Sequence, residues 1–232
     1  MSGIHLAIIP DGNRRWARKK GKSIKEGHWA GIQKLKKLIK WCKDLDVTTL
    51  SIWILSTENM QRSKEELDAL FDLFNKMLDE LLSSKDFEKA RKEISITFVG
   101  DFSVFPKEIK DKIDKIHKLT SNNNKYKLGI FCNYGGRKEL IDAANKMIKD
   151  AKIGKLNEVN ENIFSKYLYA PHLGDPDIIF RSGGEVRLSG FMPWQSVYSE
   201  LYFCNKLWPD ITKKDFYNAI EEIKKRERRF GR

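Results

Sequence analysis

The chain has 232 residues, 41% of them apolar, enough to bury the core of one large domain or two small ones without disulfides. Its three cysteines, Cys42, Cys132 and Cys204, are far apart and never in a C-x-x-C pair, which excludes a disulfide framework and a thiolate zinc site and fits a reducing compartment. The net charge of +12 points to an anionic partner, whether nucleic acid, a membrane surface or a phosphorylated small molecule. No signal region or apolar run of roughly 20 residues is present, so the expected location is the cytoplasm.

In chain order, IHLAIIP (4–10) is predicted as a buried strand that runs into Asp11-Gly-Asn-Arg-Arg15. Lysine-rich stretches follow, ARKKGKSIK and QKLKKLIKWCK, read as solvated helix faces, with Ile32, Leu35, Leu38, Ile39 and Cys42 on the buried side. TTLSIWILS (48–56) is a second strand, leading into Ser56-Thr-Glu-Asn59 and Arg62. Ser63-Lys-Glu-Glu66 opens a helix with capping-box chemistry, and Leu67, Leu70, Phe71, Phe74, Leu78 and Leu81 form its core stripe. Strands are predicted at ISITFVG (94–100), ending in Gly100-Asp101, and at YKLGIFCNY (126–134), ending in Asn133-Tyr-Gly-Gly-Arg137. DIIFRS (177–182) is the fifth strand, leading into Arg181-Ser-Gly-Gly-Glu185 and then Arg187-Leu-Ser189. Thr212-Lys-Lys-Asp215 opens the last helix as a weaker capping box, because Asp is shorter than Glu.

Strands that are apolar throughout and alternate with helices imply a single α/β domain with a central parallel sheet covered on both faces. In such a sheet the ligand loops gather at the carboxyl ends of the strands. Every predicted strand tip here carries glycine, charge or both. Glycines let a ligand approach backbone N–H groups, and arginine matches phosphate oxygens. A lone Asp11 among these cations would repel a phosphate unless a divalent metal lay between them, so the first strand tip reads as a Mg²⁺ and diphosphate site. Neither G-x-G-x-x-G nor G-x-x-x-x-G-K-[ST] occurs, which removes nucleotide binding by those routes.

DGNRRWA, GHWAG, LSTENMQR, NYGGR, RSGGEVRLSGFMPWQ and YSELYF, in this order and spacing, resemble the cis-prenyltransferases, the undecaprenyl and dehydrodolichyl diphosphate synthase family. The resemblance runs from His5 to about Gly231 and implies one catalytic domain over 1–232 with a hydrophobic tunnel. It implies Mg²⁺-dependent condensation of isopentenyl diphosphate with an allylic prenyl diphosphate, giving a longer (Z)-polyprenyl diphosphate and free diphosphate. On matching positions, Asp11 is the metal ligand and the residue most important for ionisation, joined at the metal by Glu200. Gly12, Asn13, Arg14 and Arg15 cradle the allylic diphosphate, with His28 and Arg62 nearby and Trp16 flanking the allylic chain. Arg181, Arg187 and Ser189 hold isopentenyl diphosphate, and Asn59 assists proton removal beside Ser56, Thr57 and Glu58. Phe71, Phe74 and Leu78 are expected along the tunnel, and Glu185 is expected to brace the Arg181 loop.

The terminal Arg229-Phe-Gly231 resembles the family's R-x-G motif, which reaches the partner subunit, so a homodimer is implied. The basic faces are expected to hold the protein peripherally at anionic membranes. Pro10, Met60, Ile24 and Pro193 depart from the family pattern, leaving primer, product length and head-to-tail against branched condensation open. A short-chain or branched-product synthase is therefore the alternative, followed by a non-catalytic partner subunit, against which Asp11, Arg181, Arg187 and Glu200 all speak. No nucleic-acid partner is expected, because the arginines sit with acids and glycines at strand ends rather than among exposed aromatics.

Overall fold

The computed structural model describes residues 3–226. Six strands, β1 (Ile4–Ile9), β2 (Val47–Ser56), β3 (Ile94–Val99), β4 (Tyr126–Tyr134), β5 (Ile178–Arg181) and β6 (Glu200–Phe203), form one parallel sheet in the order β3-β4-β2-β1-β5-β6. The helices are α1 (Asn13–Lys19), α2 (Ile24–Cys42), α3 (Lys64–Leu82), α4 (Lys85–Ala90), α5 (Lys107–Thr120), α6 (Gly136–Lys152), α7 (Glu161–Lys166) and α8 (Lys213–Lys224). The α/β class and the sheet covered on both faces agree with the sequence reading.

Side chains of successive strand residues point to opposite faces, and here both sets are apolar. Leu6 and Ile8 of β1, Leu50 and Ile52 of β2, and Leu128 and Ile130 of β4 join one core, which α2, α3, α5 and α8 cover. Ala7 and Ile9, Trp53 and Phe131 face the other core, closed by Leu173, Phe191 and Met192. Burying both faces is what drives a parallel sheet to take cover on each side.

The strand order places the site. From β1 the chain builds outward through β2 to β4 and β3, then returns to build β5 and β6 on the other flank of β1. The direction of growth thus reverses between β1 and β5, whose loops leave in opposite directions and open a crevice at their carboxyl ends. Ile9 pairs in register with Arg181, so Asp11 and Arg181 emerge side by side at that crevice.

The sheet differs from expectation by its sixth strand, β6, four residues of intermediate burial at the edge. A strand this short, followed by polar residues and only half covered, lacks the apolar run that marked the other five. The capping boxes also came out inverted. Thr212 and Asp215 complete theirs, whereas Ser63 accepts only from the Glu66 N–H. The Glu66 carboxylate is instead engaged by Arg62 at 3.1 Å and Arg14 at 3.5 Å.

His5 is buried in β1, its Nδ1 donating to the Asp175 carbonyl at 3.0 Å while Nε2 accepts from Ser51 Oγ at 2.9 Å. Burial holds its pKa down at about 4 from the ordinary 6.5. Because the unfolded histidine binds a proton at higher pH than the folded one, its stabilising contribution is complete above pH 6.5. It should decline as pH falls through the window to about 4, by roughly 3 kcal/mol. Thermal melts of His5→Asn should show lower stability at neutral pH than wild type but a shallower loss between pH 6.5 and about 4; parallel curves would contradict this.

Candidate active site

The loop after β1 is held by its backbone, which frees its side chains for a ligand. Asp11 O accepts from the Trp208 N–H at 3.0 Å and from Ser182 Oγ at 2.9 Å. Gly12 then takes φ 108°, a conformation that disfavours a Cβ, and starts α1 with no side-chain cap. The first turn of α1 contains no acid, so its free N–H groups meet no carboxylate from that turn.

The Asp11 carboxylate, partly exposed, is gripped from both sides. Oδ1 accepts from Arg15 Nη2 at 3.2 Å and Oδ2 from Arg181 Nη2 at 2.9 Å. Arg181 is 5% exposed; its Nη1 donates to the Arg187 carbonyl and to Ser189 Oγ at 2.9 Å. Its Nε is buried without a hydrogen-bond partner among the described residues. Gly183, at φ 91°, lets the β5 loop close over this cluster, since a Cβ there would lie 2.6 Å from Arg15 Nη2. Glu185 ties the loop together, accepting from Arg187 at 2.6 Å and lying 3.7 Å from Arg15.

A second cationic group stands opposite. Arg14 and Arg62 share Glu66, and His28 lies close enough to feel all three. Burial, helped by the Arg62 charge, lowers the His28 pKa to about 4, so the imidazole is neutral at physiological pH. Its Nε2 is buried and unpartnered among the described residues, as is Asn13 Oδ1, which packs against Gly31 of α2 where a Cβ would approach to 2.6 Å. Orphaned buried polar atoms are costly and mark positions that a polar ligand would satisfy.

These groups close one end of a cavity of about 560 Å³. Arg14, Arg15, Arg18, Arg62 and Arg181 line that end together with Asp11, Asn13, His28 and Ser189. The remainder is apolar: Ile32 and Leu35 from α2, Ile52 and Ile54 from β2, Leu70, Phe71, Phe74 and Met77 from α3, then Phe105. Phe71, Phe74 and Phe105 interlock at ring distances of 4.8 to 6.0 Å, and Phe98 and Phe102 back them at the far end. Such a cavity suits an amphiphile with an anionic head and a hydrocarbon tail.

Several expected residues are elsewhere. Trp16 does not line the cavity; its indole donates to Asp210 at 2.8 Å. Thr57 lies against Gly135, and Glu58 is exposed outside the cavity lining. Ser56 and Asn59 do line it, but each caps the other: Asn59 Oδ1 accepts from the Ser56 N–H at 3.2 Å, and Ser56 Oγ from the Asn59 N–H at 3.3 Å. Arg187 is largely exposed on its Glu185 contact. Within one chain Glu200 is not brought to Asp11: it pairs in register with Ile178 at the amino end of β6 and binds Arg226 at 3.1 Å. Arg229–Gly231 lie outside the described residues.

Two contributors escaped the sequence reading. Glu66 passes as an ordinary helix-start acid, and Arg18 is hidden in a lysine-rich run. Their signal is positional only: Glu66 is four residues from Arg62, and Arg18 is one helical turn from Arg14.

Among the described residues no group of three His, Cys, Asp or Glu side chains forms a metal cage. A hard divalent cation does not require one, because Mg²⁺ is commonly held by one or two carboxylates together with substrate phosphates and water. A single Asp11 set among arginines fits that mode.

Fold and cavity together define an enzyme that handles diphosphate-bearing amphiphiles. The model of the family described as "Putative undecaprenyl diphosphate synthase" matches residues 9–231, and the chain belongs to that family of prenyltransferases, enzymes that elongate prenyl diphosphates. It is 43% identical over 230 residues to a geranylgeranyl-diphosphate-specific tritrans,polycis-undecaprenyl-diphosphate synthase of Thermoplasma acidophilum, covering 98% of this chain and 88% of the relative. An isoprenyl transferase of Thermotoga maritima is 44% identical over 228 residues, 98% of this chain and 96% of the relative. Among solved structures, lavandulyl diphosphate synthase from Lavandula x intermedia in complex with dimethylallyl diphosphate superposes with a TM-score of 0.89. The two are 32% identical, over 100% of this chain and 99% of that one.

If Asp11 repels a bare diphosphate and accepts one only with a cation between them, Asp11→Asn should bind metal-free diphosphate about fivefold more tightly than wild type. Calorimetric titration should also show Mg²⁺ tightening the wild type and leaving the variant unchanged. Equal Mg²⁺ dependence in both would contradict the reading.

Proposed function

We propose that this chain condenses isopentenyl diphosphate with an allylic prenyl diphosphate to extend a (Z)-polyprenyl chain, releasing diphosphate, with Mg²⁺ as cofactor. The observation that carries the proposal is the division of one cavity into an end with five arginines around a carboxylate and an apolar remainder. Chain elongation on an allylic primer is favoured because the apolar part continues from the charged end to the Phe71–Phe74–Phe105 cluster, giving a growing tail somewhere to go.

Asp11 would hold Mg²⁺ together with substrate phosphates, and the ion when bound neutralises charge on the leaving diphosphate. Arg14 and Arg62 with His28 suit the allylic diphosphate, and Arg181 with Ser189 suits that of isopentenyl diphosphate; Arg187, exposed on a loop tied by Glu185, is assigned to the latter. Guanidinium groups fixed beforehand by Glu66, Asp11 and Glu185 stabilise charge as the allylic C–O bond breaks, without having to reorganise. The apolar wall keeps water from the cationic carbon that is left. Asn59, whose Oδ1 already accepts from Ser56, is assigned as a hydrogen-bond donor that shapes the cavity rather than as a base.

A homodimer fits the exposed Ile141 and Ile148 on α6 and Val197 and Tyr198 in the loop before β6, apolar surface of a kind that a second copy would cover. The metal proposal rests on Asp11 alone, not on Glu200. Free thiols at Cys42, Cys132 and Cys204 suit a reducing cytoplasm.

Purified protein given labelled isopentenyl diphosphate and allylic primers of several lengths should yield (Z)-extended products. Asp11→Ala should lower kcat by about a thousandfold in a protein that still folds, its melting temperature lowered by loss of the Arg181 ion pair. Phe71→Ala should shift the products toward longer chains, at a stability cost below the roughly 3–5 kcal/mol of a fully buried Phe→Ala change, because Phe71 is only partly buried. Unchanged turnover in the first variant, or an unchanged product ladder in the second, would contradict these assignments.

A further inference from the structure

The net charge of this protein is not spread over its surface. Residues 13–42 hold eleven lysines and arginines against a single acid, Glu26, so most of the chain's +12 resides in α1, α2 and the turn between them. Within that stretch, Arg18 to Glu26 are nine consecutive exposed residues. Glu26 is already committed: its carboxylate accepts from the Ser23 N–H and Oγ and from Lys22. Arg18, Lys19, Lys20 and Lys25 have no ion-pair partner among the described residues, unlike Lys36 and Lys40, which are paired with Glu80 and Asp86. Concentrating unpaired like charge is unfavourable for the free protein and favourable only toward an anionic surface.

The same corner exposes an aliphatic side chain. Ile24, the first residue of α2, is 43% exposed among these cations. The corner also adjoins the cavity, because Arg18 lines its charged end. We propose that the α1–α2 corner, Lys19, Lys20, Lys22 and Lys25 around Ile24, docks the protein on a bilayer containing anionic lipid. The cavity mouth is thereby brought to the surface where a prenyl amphiphile enters or leaves. The inference rests on the lipid chemistry proposed above and adds to it the surface that serves it. Juxtaposed cations with an inserted aliphatic group are the arrangement that anionic headgroups attract and the interface retains. A nucleic acid is a poorer fit. The exposed apolar residue here is aliphatic and offers no ring for a base to stack on. Trp16, Trp29 and Trp41 are partly buried, and they engage Asp210, Lys36 with Lys76, and Lys34, respectively.

The test is co-sedimentation of the full-length protein, without substrate, with phosphatidylcholine vesicles containing none or about 30 mol% phosphatidylglycerol, at about 0.1 M salt. Wild type should pellet only with the anionic vesicles and be released by high salt. Lys19→Glu/Lys20→Glu/Lys25→Glu should lose at least about tenfold in partitioning, with its melting temperature and its turnover on a short water-soluble primer unchanged. Ile24→Ser should weaken binding while leaving its salt dependence intact. Indifference to anionic lipid, wild-type partitioning of the triple variant, or displacement by duplex oligonucleotide at matched phosphate would overturn the proposal. Vesicle binding and turnover are measured apart: lost prenyl transfer with intact binding contradicts the catalytic reading only, and the converse contradicts this one only.

Discussion

The structure turns on one carboxylate held between two guanidinium groups. Asp11 leaves the carboxyl end of β1, Arg181 ends β5, and their strands pair in register, so the ion pair follows from the topology of the sheet rather than from flexible loops. Arg15, on the first turn of α1, closes the other side. The pair is also incomplete. Arg181 is buried with Nε unpartnered, and the cavity end beside Asp11 is lined by five arginines. A cationic cluster with surplus donors around the buried Arg181 is poorly satisfied by the protein alone and well satisfied by phosphate oxygens.

The rest of the site is arranged to keep this surplus in place without cancelling it. Glu66 and Glu185 hold Arg14, Arg62 and Arg187 at the margins, each a carboxylate on a neighbouring element shared between cations. His28 remains neutral within the group because burial outweighs the one nearby acid. Beyond the cations the cavity is hydrocarbon and ring, which strengthens the electrostatics at the mouth by excluding water and receives the apolar part of the substrate. Charge at the sheet edge and apolar packing between α2, α3 and the sheet thus divide the work of recognising one amphiphilic molecule.

Much of this is legible in the sequence. Strands apolar on both faces, alternating with helical periodicity, carried the parallel sheet, and glycine with charge at every predicted strand tip pointed to the carboxyl ends of the strands, where the cavity's charged lining lies. What remained hidden has physical causes. Strand β6 is short, half exposed and at the sheet edge, so it gives no hydrophobic signal. Glu66 resembles a helix cap in sequence, and only the tertiary approach of Arg14 reveals its other use. Trp16 and Glu200 carry motif letters whose positions depend on which way a helix or strand turns; the fold sends the first to Asp210 and the second to the amino end of its strand. Asn59 is spoken for by a local capping pair that sequence spacing permits but does not demand.

The proposed catalysis depends on a divalent cation that reaches the diphosphate through Asp11. Magnetic resonance of Mn²⁺ substituted for Mg²⁺, recorded with diphosphate bound, reads this directly through the coupling of the ion to phosphorus. Strong manganese–phosphorus coupling is expected in the wild-type protein, and its loss in Asp11→Asn with the diphosphate still bound. The same coupling in both proteins would show that the ion is held without Asp11 and would contradict the account.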